Sequence, residues 1–360
     1  MPRVRSIQVL RALAALMVVL CHTVPEPGAA RAGAMSQFAL VGAAGVDMFF
    51  VISGFVMALI CASETRPLEF LRRRLIRIAP LYWMCSLAAL AVALAAAGMR
   101  VEAPPPIGLI VSSFVFLPYW DASVGRVTPL LTQGWTLQYE MFFYLVIALG
   151  LALAPRRALT AVGAAIAGLA AIGVVAGVPT RGAASLLDVY INPTLVEFVA
   201  GLAIGGLWRA EQLPGPRAAM ALLVLGGGGL VAAVFAGPDL TPARALVWGG
   251  PCALIVLGGV ALEAAGRMPD LPLLSAIGDA SYSLYLTHGD LALALGRLRG
   301  LLPPGSLESF AFAAVATVLC VAFAALVYRY VEAPTLAALR RFGRAAPLVP
   351  AGLASRPREA

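Results

Sequence analysis

Two histidines occur among the 360 residues, His22 and His288, and each lies in an apolar run beside other polar groups. A neutral imidazole poised near pH 7 can take a proton from a weakly acidic hydroxyl and hand it on. The stretch "RALAALMVVLCH" opens with Arg11 and closes with His22, eleven positions later. At about 100° per residue the two return to one helical face, about 16 Å apart along the axis. Taken singly, Arg11 could snorkel to lipid headgroups and His22 could be an interfacial helix-end residue. Their shared face argues that they work together.

Further ionisable groups fall in similar runs. Asp47 and Ser53 lie in "GVDMFFVISGF", Glu140 in "QGWTLQYEMFFY", Glu197 in "NPTLVEFVAG" and His288 in "GDASYSLYLTHGD". Charged side chains at membrane depth are rare and face a bundle interior or a wet cavity. Asp47 or Glu140 is expected to orient His22 and stabilise its imidazolium, through an Asp–His or Asp–Arg contact. The plainer alternatives are a helix-to-helix polar contact for Asp47 and a neutral, hydrogen-bonded carboxyl for Glu197. Trp135, Tyr139, Ser281, Tyr282 and Tyr285 are the candidates for contacting substrate and donating to a developing oxyanion. Trp135 and Tyr139 could equally be belt aromatics. In "FLRRRLIRIAPLYW", Arg72, Arg73, Arg74 and Arg77 suit phosphate in bidentate geometry, or else anchor the chain on the positive-inside face.

The elements that must position these groups are membrane helices. The chain is 61% hydrophobic and 12% charged, with a mean hydropathy of +0.90, whereas a soluble domain is about 25% charged. Apolar runs long enough for a core of about 30 Å predict ten spans, at about 8–24, 38–61, 75–97, 136–154, 158–177, 189–209, 217–236, 243–263, 280–300 and 308–331. The segment 107–120 is too short to span and is expected to be interfacial or re-entrant. Arg11 interrupts the first apolar run, which predicts a retained helix in place of a cleaved leader. All 26 basic residues are arginine. With the N-terminus inside, 17 of them fall on the inner side and 7 on the outer, so both termini are expected to be cytoplasmic. The expected fold is an all-α polytopic membrane domain over 5–335, followed by a cytoplasmic, disordered tail over 336–360.

This distribution accounts for the pI near 9.7 without nucleic acid. The five cysteines lie in or beside apolar runs and form no CxxC pair, as expected of buried thiols. With two histidines and no ligand cluster, no metal is expected. The "GGGG" at 226–229 lies in a span, where close helix packing is the ordinary use of glycine.

The ordered series "IQVLRALAALMVVLCH", "GVDMFFVISGFVM", "FLRRRLIRIAPLYW", "QGWTLQYEMFFY", "LVEFVAGLAIG", "IGDASYSLYLTH" and "YRYVEAPT" resembles the acyltransferase-3 family of integral-membrane acyltransferases. The resemblance covers about residues 5–335. It implies ten helices, an acyl-CoA co-substrate (acetyl-CoA in the usual case) and a hydroxyl acceptor on a cell-envelope glycan, with the enzyme in a bacterial inner membrane. By the same resemblance His22 is the catalytic base, with Asp47, Glu140 and His288 in the catalytic set. Arg11, Arg72, Arg73, Arg74 and Arg77 become the donor-binding groups. Gln8 departs from the family pattern, which commonly has an acidic residue there. An acyl-histidine relay at His22 or His288 is a second route. A transporter or lipid flippase using the same buried charges is the competing class, and the absence of a visible inverted repeat counts against it.

Overall fold

The structure is a computed structural model that describes residues 4–23, 41–61, 66–99, 103–180, 183–235, 243–299 and 306–342. The apolar runs become helices: α1 (Arg5–Thr23), α2 (Ala44–Cys61), α3 (Pro67–Gly98) and the short α4 (Ile107–Phe114). After a small hairpin come α5 (Trp135–Leu153), α6 (Ala158–Val175), α7 (Leu186–Tyr190), α8 (Val196–Arg209) and α9 (Pro216–Ala233). A π-helical turn (Ala245–Gly249) leads into α10 (Gly250–Ala264), then α11 (Pro272–Asp279), α12 (Ser281–Arg299) and α13 (Ser306–Val327). A second π turn (Tyr328–Glu332) runs into α14 (Ala333–Phe342). The chain is thus helical to Phe342, and the rest of the tail lies outside the described residues.

Among the described residues nine helical stretches are long and apolar enough to cross a membrane. The protein is therefore an all-α, multi-pass membrane protein. The tenth expected span is α12, where Ser281, Ser283, Thr287, His288 and Asp290 lower the hydropathy of a helix that is otherwise of spanning length. The expected break before residue 75 is absent. Pro67 occupies the first helical turn, where its missing N–H costs nothing, and the arginine cluster lies in the second and third turns of α3. The expected span 189–209 is present within Leu186–Arg209, but its helix is interrupted. Ser185 and Asp188 form a capping box at α7, and Asn192 caps the turn that Pro193 begins before α8.

The central helix is α1, packed against α2, α10, α11, α12 and α13. Its N-terminus is tied to α10 by Glu263, which accepts from the Arg5 and Ser6 amides at 2.7 and 2.6 Å. One carboxylate thereby satisfies two of the unpaired donors that open any helix, at the positive end of its dipole. Close approach by small residues sets the α2–α8 crossing. A Cβ on Gly54 would stand 2.1 Å from the Phe198 carbonyl oxygen, and one on Gly201 2.0 Å from that of Val51.

Segment 107–120 is, as expected, no span. It is α4 followed by an antiparallel hairpin that pairs Trp120 with Val127 and Asp121 with Arg126. Asp121 closes the turn by accepting from the Ser123 amide (2.9 Å) and hydroxyl (2.6 Å).

Candidate active site

Helices α1, α2, α3, α5 and α12 enclose a cavity of about 160 Å³. Arg11, Arg74 and Arg77 line it together with Ser53, Glu140, Tyr144, Ser281, Tyr282 and Tyr285. Glu140 is held by Ser53 Oγ, which donates to Oε1 at 3.2 Å, and by the Tyr144 hydroxyl. Arg77 pairs with Glu332 at the end of the second π turn. Glu332 is 2% exposed and also accepts from Ser283 Oγ at 2.6 Å. The Arg77 guanidinium lies 5.2 Å from the Tyr282 ring centre, and the Tyr282 hydroxyl donates to the Ile78 carbonyl at 2.7 Å. The balance of three guanidinium groups against two carboxylates is positive, the sign that suits a phosphate-bearing ligand.

The four arginines of the α3 cluster part company. Arg74 and Arg77, three residues apart on one face, reach the cavity. Arg72 and Arg73 point away, are 43% and 52% exposed, and both donate to Glu69 at 2.7 Å. The spacing within the cluster carried this division, because Glu69 can serve only its i+3 and i+4 neighbours.

The two histidines meet although 266 positions separate them. Their ring centres are 5.0 Å apart, edge to face at 70°. His22 Nδ1 is 2.8 Å from the Val18 carbonyl oxygen, and His288 Nδ1 is 2.8 Å from that of Tyr285 and 3.1 Å from that of Leu284. A carbonyl can only accept, so Nδ1 carries the hydrogen in both rings and the lone pair sits on Nε2. His288 is buried and its Nε2 has no hydrogen-bond partner, while His22 is exposed at its helix end. Neither ring lines the cavity. Tyr285 does, and its ring centre is 5.9 Å from that of His288. Thr136 Oγ1 donates to the Tyr285 hydroxyl oxygen at 2.9 Å, which leaves the phenolic proton to donate elsewhere.

Asp47 makes an Asp–Arg contact, as expected, but its partner is Arg244 and it does not orient His22. Its carboxylate does not meet His22 or Arg11; it is 0% exposed and takes two hydrogen bonds from Arg244, at 3.0 and 2.7 Å. Glu140 does not orient His22 either; the Val18 carbonyl does. A fork of two parallel N–H donors satisfies a buried carboxylate better than one imidazole can. Arg244 also donates to the Thr180 carbonyl (3.1 Å) and stacks 5.0 Å from the Trp248 ring centre. Glu197 joins this group beside Gly249. Arg244 was not singled out in the sequence; its place at the start of the expected span 243–263 was the available signal. Glu332 was likewise visible only as part of "YRYVEAPT". Trp135 and Tyr139 stand on the other side of α5 from the cavity, against Phe50 at 6.5 and 5.9 Å.

The apolar helices thus surround an arginine-lined cavity, with the histidine pair outside it, next to the lining residue Tyr285. The family model described as "Acyltransferase domain" matches residues 4–329, and the chain belongs to that acyltransferase-3 family. It is 37% identical to "Exopolysaccharide production protein ExoZ" of Rhizobium meliloti (strain 1021) over 320 residues, which is 89% of this chain and 96% of that protein. It is 25% identical to "Acyltransferase MdmB" of Streptomyces mycarofaciens over 305 residues, covering 79% and 78% of the two chains. No solved structure matches the chain. The protein is accordingly a membrane acyltransferase that transfers groups other than aminoacyl groups, and a transport role for the buried charges gives way to this class.

Proposed function

We propose that the enzyme takes an acyl group, acetyl in the simplest case, from acyl-CoA at the cytoplasmic face of a bacterial inner membrane. It passes that group to a hydroxyl of an envelope glycan. The observation that carries this reading is the arginine-lined cavity reaching Tyr285, whose ring lies 5.9 Å from that of His288, the partner of His22. Arg11, Arg74 and Arg77 suit the phosphates of a nucleotide thioester, and the arginine bias puts the start of α3 on the cytoplasmic side. The exopolysaccharide role named for ExoZ supports a glycan acceptor.

In this reading the acceptor hydroxyl gives its proton to His22 Nε2 while its oxygen adds to the thioester carbonyl. Tyr285 donates to the resulting oxyanion. Collapse breaks the C–S bond, and the imidazolium returns the proton to the departing thiolate. The products are an O-acyl ester and free CoA. His288, held by two carbonyls of its own helix, keeps the His22 ring in edge contact.

The test uses membranes supplied with labelled acetyl-CoA and base-deacylated exopolysaccharide. His22→Ala is expected to lower transfer by about 100-fold or more at normal protein levels. Arg77→Ala is expected to raise the KM for acetyl-CoA about tenfold. Unchanged transfer by the first variant would reject the base, and an unchanged KM in the second would reject the donor site.

A further inference from the structure

A second pocket, of about 140 Å³, lies on the far side of α5 from the arginine cavity. Arg126 and Thr128 line it from the hairpin and the strand exit, Thr132 from the turn before α5, and Trp135, Gln138 and Tyr139 from α5 itself. Nothing in the acyl-transfer chemistry above uses it. Its composition is distinctive: two aromatic rings beside a set of hydroxyl, carboxamide and guanidinium groups. A pyranose ring has an apolar C–H face and a rim of hydroxyls, and it needs this combination.

The pocket is built on fixed groups. Gln138 is buried and its Nε2 donates to the Leu117 carbonyl at 3.0 Å, so its carboxamide oxygen is held in place. Tyr139 is buried against Phe50 and lies 5.7 Å from the Trp135 ring. The hairpin wall is pinned where the Val127 amide donates to the Ala183 carbonyl at 3.1 Å. Arg126 and Thr132 are exposed at the rim, so the pocket has a way in.

Helix periodicity relates this pocket to the other cavity. Positions 135, 138 and 139 share one face of α5 and line the pocket, whereas 136, 137, 140 and 144 share another and line the arginine cavity. The two adjoin along α5, and Phe50, which lines the arginine cavity, packs against Trp135 and Tyr139 of the second pocket. Thr136, bonded to Tyr285, and Trp135 are consecutive residues. A ligand seated against Trp135 is therefore held beside the turn of helix that reaches the histidine pair through Tyr285.

We infer that this pocket is the acceptor subsite, taking one sugar unit of a glycan with its C–H face on Trp135 and Tyr139 and its hydroxyls toward Thr128, Thr132 and Gln138. The inference rests on the glycan reading above and adds a binding site to it.

The experiment uses the full-chain protein in lipid nanodiscs with labelled acetyl-CoA. The acceptor is a set of oligosaccharides released from base-deacylated exopolysaccharide of a strain carrying the gene. Trp135→Ala and Thr132→Trp, the second filling the pocket from its exposed rim, are each expected to raise the KM for oligosaccharide at least about tenfold. The KM for acetyl-CoA should stay within about twofold. Because Thr132 is exposed, its variant decides the matter if Trp135→Ala folds poorly. An unchanged oligosaccharide KM in Thr132→Trp, with Arg77→Ala still impaired toward acetyl-CoA, overturns the subsite and leaves acyl transfer standing. Equal rises in both KM values also overturn it. Transfer by the wild type to a simple alcohol but not to oligosaccharide overturns the sugar assignment, and no transfer at all overturns the functional reading with it.

Discussion

Asp47 and Glu332 are both buried carboxylates bound by an arginine, and the difference between their partners separates structure from function. Glu332 holds Arg77, which lines the cavity proposed to take the acyl donor. Removing its charge should loosen a guanidinium that a phosphate would contact. Glu332→Gln is therefore expected to raise the KM for acetyl-CoA by about fivefold to tenfold with little change in kcat, read from initial rates at varied donor. Asp47 holds Arg244, and neither lines that cavity. Asp47→Asn leaves Arg244 buried with a poorer partner, which costs about 3–5 kcal/mol when a buried pair is broken. Thermal unfolding in detergent should show a clear drop in Tm, while material that folds keeps its KM for acetyl-CoA. An unaltered Tm would return Asp47 to the catalytic set.

Among the elements, α5 presents two faces to two cavities, and α2 joins the site to the rest of the bundle. Ser53, the partner of Glu140, precedes Gly54, one of the two glycines at which the α2–α8 backbones approach closest. Gly54→Ala would push the two helices apart at a point where the neighbouring atom is a backbone carbonyl that cannot rotate away. Overpacking of this kind costs about 1–3 kcal/mol, and it should also lengthen the Ser53–Glu140 contact. Lower stability together with reduced transfer is expected, against lower stability alone for Gly226→Ala, which packs on α10 away from the site. Equal transfer by the two variants would show that the α2 position does not matter to the site. Both π turns end or begin at a charged residue of a buried pair, Arg244 before the first and Glu332 closing the second. An extra residue in a helical turn rotates the rest of the helix beyond it, a recurrent way of aiming one side chain out of register.

At the scale of the whole molecule, direction is decided by charge. In the topology we propose from the arginine bias, the N-terminus, the start of α3 and the end of α14 lie on one side, and the hairpin with the proposed sugar pocket on the other. Cysteine substitution of Arg126 and of Arg341 gives a direct check. In intact cells a membrane-impermeant maleimide should label the first and spare the second, and permeabilisation should expose both. The reverse pattern would invert the topology and with it the side from which donor and acceptor arrive.

Much of the fold is legible in the amino-acid sequence, because a helix in lipid must satisfy its own backbone and each span announces itself as an apolar run. The Arg11–His22 face follows from the period of one helix, and the motif series carries the family. What one helix cannot reveal is partnership across helices. His22 meets His288, Arg77 meets Glu332, Asp47 meets Arg244 and Thr136 meets Tyr285, all across separations of more than 100 residues. Composition shows that a buried charge needs an opposite, but several candidates lie at similar depth, and only the rotation and crossing of the packed helices select one. The chemistry available to this protein is set by its residues; which of them share a cavity is decided by the packing.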